Sequence, residues 1–184
     1  GGLSIGLCTE VAQTSEKIII ELNTARPSCN GLHDIAQFRP IGRKHPWLIN
    51  KSEEHVGDPF IRINPSRVVG IIETQLQDPG AETAPPDAVS KAIAGHLLEF
   101  LEHEIKMGRL PATGLHLQSG VGNVANAVVD GFGESNLKDL RVWTEVLQDS
   151  FLPLIESGKV IHASTTGIKL SQAGLDRFYD NFEF

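Results

Sequence analysis

Cysteine is scarce: Cys8 and Cys29 are the only two in 184 residues. Two thiols are too few for a disulfide scaffold and show no metal-ligand spacing, so a reducing compartment is expected. No apolar run approaches the roughly 18 residues that cross a bilayer, which excludes a helical membrane protein. Basic residues are outnumbered: 16 Lys and Arg against 23 Asp and Glu leave a net charge of −7. A nucleic-acid surface needs clustered cations, so no nucleic-acid partner is expected. Internal repeats and low-complexity stretches are missing too. So is a signal or transit peptide, since the opening Gly1-Gly2-Leu3-Ser4 reads as mid-domain sequence or a cloning scar. The chain is therefore expected to be a fragment, of a cytoplasmic or mitochondrial protein.

What is present is ordinary for an α/β protein: 40% hydrophobic and 21% charged residues. The expected class is α/β, with open, mostly parallel sheets and flanking helices. Leu3–Leu7 reads as a short strand, Thr9 as the cap of a brief helix, and Lys17–Asn23 as a strand. Its triple isoleucine lacks alternation, as in a parallel strand covered on both faces. Asn23 ends it as a turn residue with a conceivable ligand role. Residues 27–65, including Gly42-Arg43-Lys44-His45-Pro46-Trp47, read as a long irregular excursion, whose His33, His45 and His55 lack the spacing of a zinc site. Arg67–Thr74 is a second buried strand. Residues 78–87 form a Pro- and Gly-rich linker between two parts, 1–77 and 88–184.

Beyond the linker, Asp87 caps a helix with an apolar stripe of Val89, Ile93, Leu97, Leu101 and Ile105, widened by Ala94 and Leu98, and Gly108 closes it. His96, Glu99 and His103 share a face of that helix, but neighbouring Glu102 and Glu104 mark it as solvated, and no metal is assigned. Leu115–Gln118 leads into a glycine loop. Asn123–Asp130 forms a helix ended by Gly131-Phe132-Gly133, and Leu140–Thr144 a strand before Glu145. Gln148–Ser157 is a helix closed by Gly158, Val160–Ser164 a strand before a Thr165-Thr166-Gly167 turn, and Ser171 caps a last helix through Asp180.

Two stretches carry the candidate chemistry. In Gln118-Ser119-Gly120-Val121-Gly122-Asn123 the two glycines bracket one residue, so a ligand can approach the backbone N–H groups. The loop opens a helix, whose N-terminus favours an anion. The spacing is a weak dinucleotide signal, and a tight strand–helix turn without a ligand explains it equally well. Glu145 stands alone among apolar neighbours, delivered by its strand into the next loop. A carboxylate so placed is either ion-paired or functional. The net negative charge leaves a nucleotide or coenzyme A open as a ligand, since either needs only local donors.

Gln118–Asn123, Asn126-Ala127-Val128 and Thr144-Glu145-Val146 resemble the acetyl-CoA hydrolase/transferase family, close to succinyl-CoA:acetate CoA-transferases. So do Glu21-Leu22-Asn23, Gly31-Leu32-His33-Asp34-Ile35, Val68–Glu73, Ile93–Leu101 and Gly108-Arg109-Leu110-Pro111. The motifs run in order along nearly the whole chain. The resemblance implies parts of the two related α/β halves of a CoA-transferase: the C-terminal part of the first and the N-terminal part of the second. It implies Glu145 as nucleophile toward an acyl-CoA and the Val121 N–H as an oxyanion donor, with Gln118, Gly120, Gly122, Asn123 and Asn126 shaping the loop and contacting CoA. No cofactor is implied; coenzyme A is a substrate, alongside small carboxylates, and the full-length parent is expected to be a homo-oligomer. Members are more than twice this length, and a later glycine-rich loop of the family is absent, so this polypeptide alone is expected to have little or no activity. Net acyl-CoA hydrolysis and a non-catalytic CoA- or nucleotide-binding domain are the alternatives.

Overall fold

The computed structural model describes residues 3–37, 45–82 and 84–180. Gly42–Lys44 of the excursion and Thr83 of the linker lie outside them. The chain divides into two compact units, Gly1–Pro79 and Gly80–Phe184. All strand pairs within the named sheets are parallel, with helices alongside, so the fold is mixed α/β. No helix among the described residues is long and apolar enough to cross a membrane.

In the first unit, α1 spans Cys8–Thr14, β1 Ile18–Asn23 and β2 Val68–Thr74. Leu7, not Thr9, precedes the helix, and it supplies no side-chain cap; Thr9 is buried within the first turn instead. β1 pairs with β2, and Arg67 ties the end of α1 to the start of β2 by donating to the Gln13 and Ser15 carbonyls at 3.0 and 2.7 Å. The expected burial on both faces is not found. Ile19, Leu22, Val69, Ile71 and Ile72 are exposed, because a sheet of two strands consists only of edges and both its faces stand open in this unit. Asn23 is occupied structurally: its amide donates to the Leu76 carbonyl at 2.7 Å and its Oδ1 accepts from the Ala25 N–H at 3.1 Å. Among the described residues of the excursion, Ile35 and Asp58 form an antiparallel bridge. Beside it the Asp34 carboxylate accepts from the Val56 and Gly57 N–H groups, and a Cβ at Gly57 would overlap the Ile35 carbonyl.

The second unit contains α2 (Ala88–Lys106), β3 (His116–Leu117), α3 (Asn123–Glu134), β4 (Leu140–Leu147), α4 (Leu152–Glu156), β5 (Val160–Ile168) and α5 (Gln172–Asp180). The sheet order is β3-β4-β5. Its core gathers Leu140 and Val142 of β4 with Ala127, Val129, Phe132, Phe151, Leu152, Leu154, Leu170 and Leu175. Part of the linker belongs to this unit: the Ala81 N–H donates to the Leu170 carbonyl at 2.7 Å.

Asp87 caps α2 by accepting from the Ser90 N–H at 2.7 Å, and Gly108 takes the left-handed conformation, φ +71°. The buried stripe, however, is only part of the expected one: Ala94, Leu98, Leu101 and Ile105 are buried or half-buried, and Val89, Ile93 and Leu97 are not. Ser90 and Ala94 (3% exposed) are the buried residues of the helix, whereas Val89 is 69% exposed and Ile93, Leu97 and Phe100 are also exposed. Small residues win the contact because α3 lies close: a Cβ on Gly131 would come within 2.6 Å of Leu98 Cδ1. Gly131 and Gly133 therefore sit inside α3, which runs on to Glu134 rather than stopping at Asp130. Lys159 closes that helix, its ammonium donating to the Phe132, Gly133 and Ser135 carbonyls at 2.7–2.9 Å, where the helix dipole favours a cation.

The predicted helix over 148–157 is a 3-10 turn at Asp149–Phe151 followed by the short α4. β5 continues through Thr165-Thr166-Gly167 instead of turning there, because its pairing with β4 persists: Thr144 faces Thr165 and Val146 faces Gly167. Ser171 caps α5 as expected, its Oγ accepting from the Gly174 N–H at 3.1 Å. Asp149 reinforces the cap by accepting from the Ser171 N–H and hydroxyl at 2.9 and 2.6 Å.

Candidate functional site

The glycine loop lies between β3 and α3. Gly122 is the N-cap of α3 at φ +115°, a conformation that favours glycine, and its carbonyl accepts the Asn126 N–H at 3.0 Å. No side chain caps the helix there, so its first N–H donors depend on solvent or a ligand. Val121, at the tip, is 68% exposed. Gly120, Gly122 and Asn123 are exposed as well. The Gln118 amide folds back onto the Ser119 carbonyl at 3.0 Å. Asn126 lies one turn into α3, half-buried, with its Oδ1 shielded from solvent and unpartnered among the described residues.

Glu145 lies within β4, not in the loop after it, because the strand runs two residues further, to Leu147. Alternation does the positioning. Val142 and Thr144 point into the core, and Trp143 and Glu145 point to the open face. The Glu145 carbonyl accepts from the Thr165 and Thr166 hydroxyls at 2.9 and 2.6 Å, so neighbouring β5 fixes the backbone beneath the carboxylate.

The two stretches meet through residues that the sequence reading had not assigned to the site. Thr144 Oγ1 donates to the Ser119 carbonyl at 2.7 Å, and Gln148 Nε2 donates to the Gly120 carbonyl at 3.1 Å. Both donors are buried, Thr144 at 6% and Gln148 at 8% exposure. They flank Glu145 in the chain, so the strand that carries the carboxylate also grips the loop. The available signal was a buried-side threonine and an uncharged glutamine in an apolar run, since buried polar groups need partners.

Four carboxylates among the described residues titrate away from their ordinary range. The Ser90 N–H bound to Asp87 holds its carboxyl below the usual range, and Arg62 and Arg109 do the same for Asp58 and Glu104. Burial pushes Asp130 up, against an opposing pull from Lys91. No group of three or more potential metal ligands occurs among the described residues, and the exposed His96 forms a 3.5 Å pair with Glu99.

No family model matches the chain. Curated relatives do. It is 46% identical over 183 residues to an acetyl-CoA hydrolase of Schizosaccharomyces pombe, and 47% identical over 182 residues to one of Neurospora crassa. These matches take in 100% and 99% of the chain but 35% of each relative, so the chain spans about a third of their length. Among solved structures, RipA from Yersinia pestis superposes with a TM-score of 0.57 at 19% identity, over 98% of this chain and 35% of that one, a likeness of fold. The identity along its whole length makes the chain homologous to about a third of these acetyl-CoA hydrolases.

Proposed function

We propose that this chain supplies the nucleophile and one oxyanion donor of an enzyme that transfers CoA between a short acyl-CoA, acetyl-CoA or succinyl-CoA, and a carboxylate such as acetate. The observation that supports the reading is the grip of Thr144 and Gln148, which flank Glu145 in the chain, on the Ser119 and Gly120 carbonyls just before Val121. The nucleophile must be a carboxylate, the form that glutamates ordinarily take at neutral pH. A Glu145 oxygen attacks the thioester carbonyl, and the Val121 N–H stabilises the tetrahedral oxyanion. Its collapse breaks the C–S bond, releasing CoA thiolate and leaving an acyl-glutamyl anhydride. The thiolate then attacks the glutamyl carbonyl, expelling the acyl group as a carboxylate and leaving a glutamyl-CoA thioester. An incoming carboxylate reverses these steps and departs as the new acyl-CoA. Contacts to the remote parts of CoA lower the barrier at the reacting carbonyl.

Net hydrolysis is the second reading, favoured by the names of the curated relatives. There water, in place of the carboxylate, attacks the thioester and returns free Glu145 and CoA. Rates of CoA release and of acyl exchange in the full-length parent, with and without acetate, separate the two. The reaction needs no cofactor, and dialysis against a chelator should leave the rate unchanged. The parent is proposed to act as a homo-oligomer in the cytosol or mitochondrial matrix, which light scattering of the purified protein and cell fractionation check. A Glu145→Ala variant that keeps turnover would remove the assignment, and one that binds CoA unchanged while the wild type shows no turnover would point to a binding domain.

A further inference from the structure

The two bonds that grip the glycine loop also set where its N–H groups point. Thr144 and Gln148 take two consecutive carbonyls, those of Ser119 and Gly120, and the Ser119 hydroxyl adds a third bond, donating to the Gly120 carbonyl at 3.1 Å. Successive carbonyls of an extended strand point to opposite sides. Here both are drawn to donors from the single segment 144–148. All described peptide bonds are trans, and in a planar trans peptide the N–H lies opposite the carbonyl of the same unit. The Gly120 N–H is therefore turned away from Thr144, and the Val121 N–H away from Gln148. Both face out of the grip, on the exposed side of the loop.

Glycine makes this control necessary. Gly120 has no neighbour within 4 Å of where a Cβ would stand, and a residue so free in φ and ψ can rotate the peptide that bears the Val121 N–H. A buried amide and a buried hydroxyl, each spending its hydrogen on that backbone, oppose such rotation. We propose that Gln148 and Thr144 are positioning residues for the oxyanion donor: they hold the peptide that bears the Val121 N–H and the peptide before it, aiming that N–H toward the acyl oxygen. The inference rests on the assignment of Glu145 and Val121 above. Preorganised donors of this kind act on the transition state and not on ground-state binding, so the two substitutions should lower kcat and spare KM.

The test uses the full-length parent and four proteins: wild type, Gln148→Glu, Thr144→Val and Thr144→Ser. Gln148→Glu keeps the shape but replaces the donor with a carboxylate that repels the Gly120 carbonyl. The expected loss is about 100-fold or more in kcat, the scale for one misdirected oxyanion donor, with KM for acetyl-CoA within about 3-fold. Thr144→Val should fall in the same direction, and Thr144→Ser, which restores the hydroxyl, should recover most of the rate. Wild-type kcat in Gln148→Glu and Thr144→Val would overturn the proposal, as would a parallel loss of kcat, KM and melting temperature, the mark of a purely structural role. If Gln148→Glu does not fold, the Thr144 pair decides alone, and equal rates for valine and serine overturn it. Borohydride trapping of wild type with acetyl-CoA runs alongside. A labelled Glu145 with insensitive variants defeats this inference only, whereas an unlabelled Glu145 defeats the underlying assignment.

Discussion

Gly174 sits inside α5, where alanine would ordinarily be the better helix residue by about 1 kcal/mol. Its surroundings reverse that preference. A Cβ would overlap Asp149 Oδ1 and stand 3.1 Å from Cβ of Leu170, which is 1% exposed and has nowhere to move. Asp149 would have to release Ser171, and with it the cap of α5. Gly174→Ala is therefore expected to destabilise the protein by about 1–3 kcal/mol, the range for overpacking, read as a lower urea midpoint at unchanged slope; a raised midpoint would contradict it. Asp87 offers a test with a pH sign. Its folded carboxyl titrates below the usual range because it accepts the Ser90 N–H. Its contribution is then present above the unfolded value, and is lost as pH falls through the lower folded value. The stability gap between wild type and Asp87→Ala should be open at neutral pH and narrow in acid, and a gap that widens in acid would contradict the cap. Asp130 carries the opposite sign, since burial raises its folded value and ionisation costs stability as pH rises. Asp130→Asn should stabilise at neutral pH and lose that advantage below the ordinary carboxylate range, as thermal melts across pH would show.

Among elements, the existence and kind of most were legible. β1, α2 with its Asp87 cap and Gly108 stop, and α5 behind Ser171 all lie where periodicity and caps placed them. The errors share a cause. Gly131, Gly133 and Gly167 read as breakers, yet each lies inside an element. Gly131 lets Leu98 of α2 approach, and Gly167 keeps its place in the β4–β5 ladder opposite Val146. A glycine needed for close approach looks, in sequence, the same as one needed for a turn. The stripe on α2 was legible only in part, holding for Ala94, Leu98, Leu101 and Ile105 and failing for Val89, Ile93 and Leu97: periodicity shows an apolar helix, but which of two neighbouring faces is buried depends on the partner. The glycine loop and Glu145 were legible because each is a local pattern. Thr144 and Gln148 were not, since their partners lie 25 and 28 residues away, and nothing at either position shows which distant carbonyl it will meet.

For the whole molecule, the chain matches its curated relatives end to end while spanning 35% of their length. The isolated 184-residue chain is therefore expected to show little or no transferase or hydrolase turnover, and the full-length parent to show it. A transferase rate measurable in the short chain would contradict this. In the parent, Glu145→Ala should lose turnover by orders of magnitude, because the proposed reaction passes through that carboxylate.

The most direct measurement is mass spectrometry of the full-length parent after incubation with acetyl-CoA and borohydride. Reductive cleavage of a glutamyl-CoA thioester leaves an alcohol on the side chain, and peptide mapping assigns its position. The account predicts that modification at Glu145 and its loss when acetyl-CoA is omitted. A turning-over enzyme in which Glu145 stays unmodified, or in which another carboxylate carries the alcohol, would contradict it.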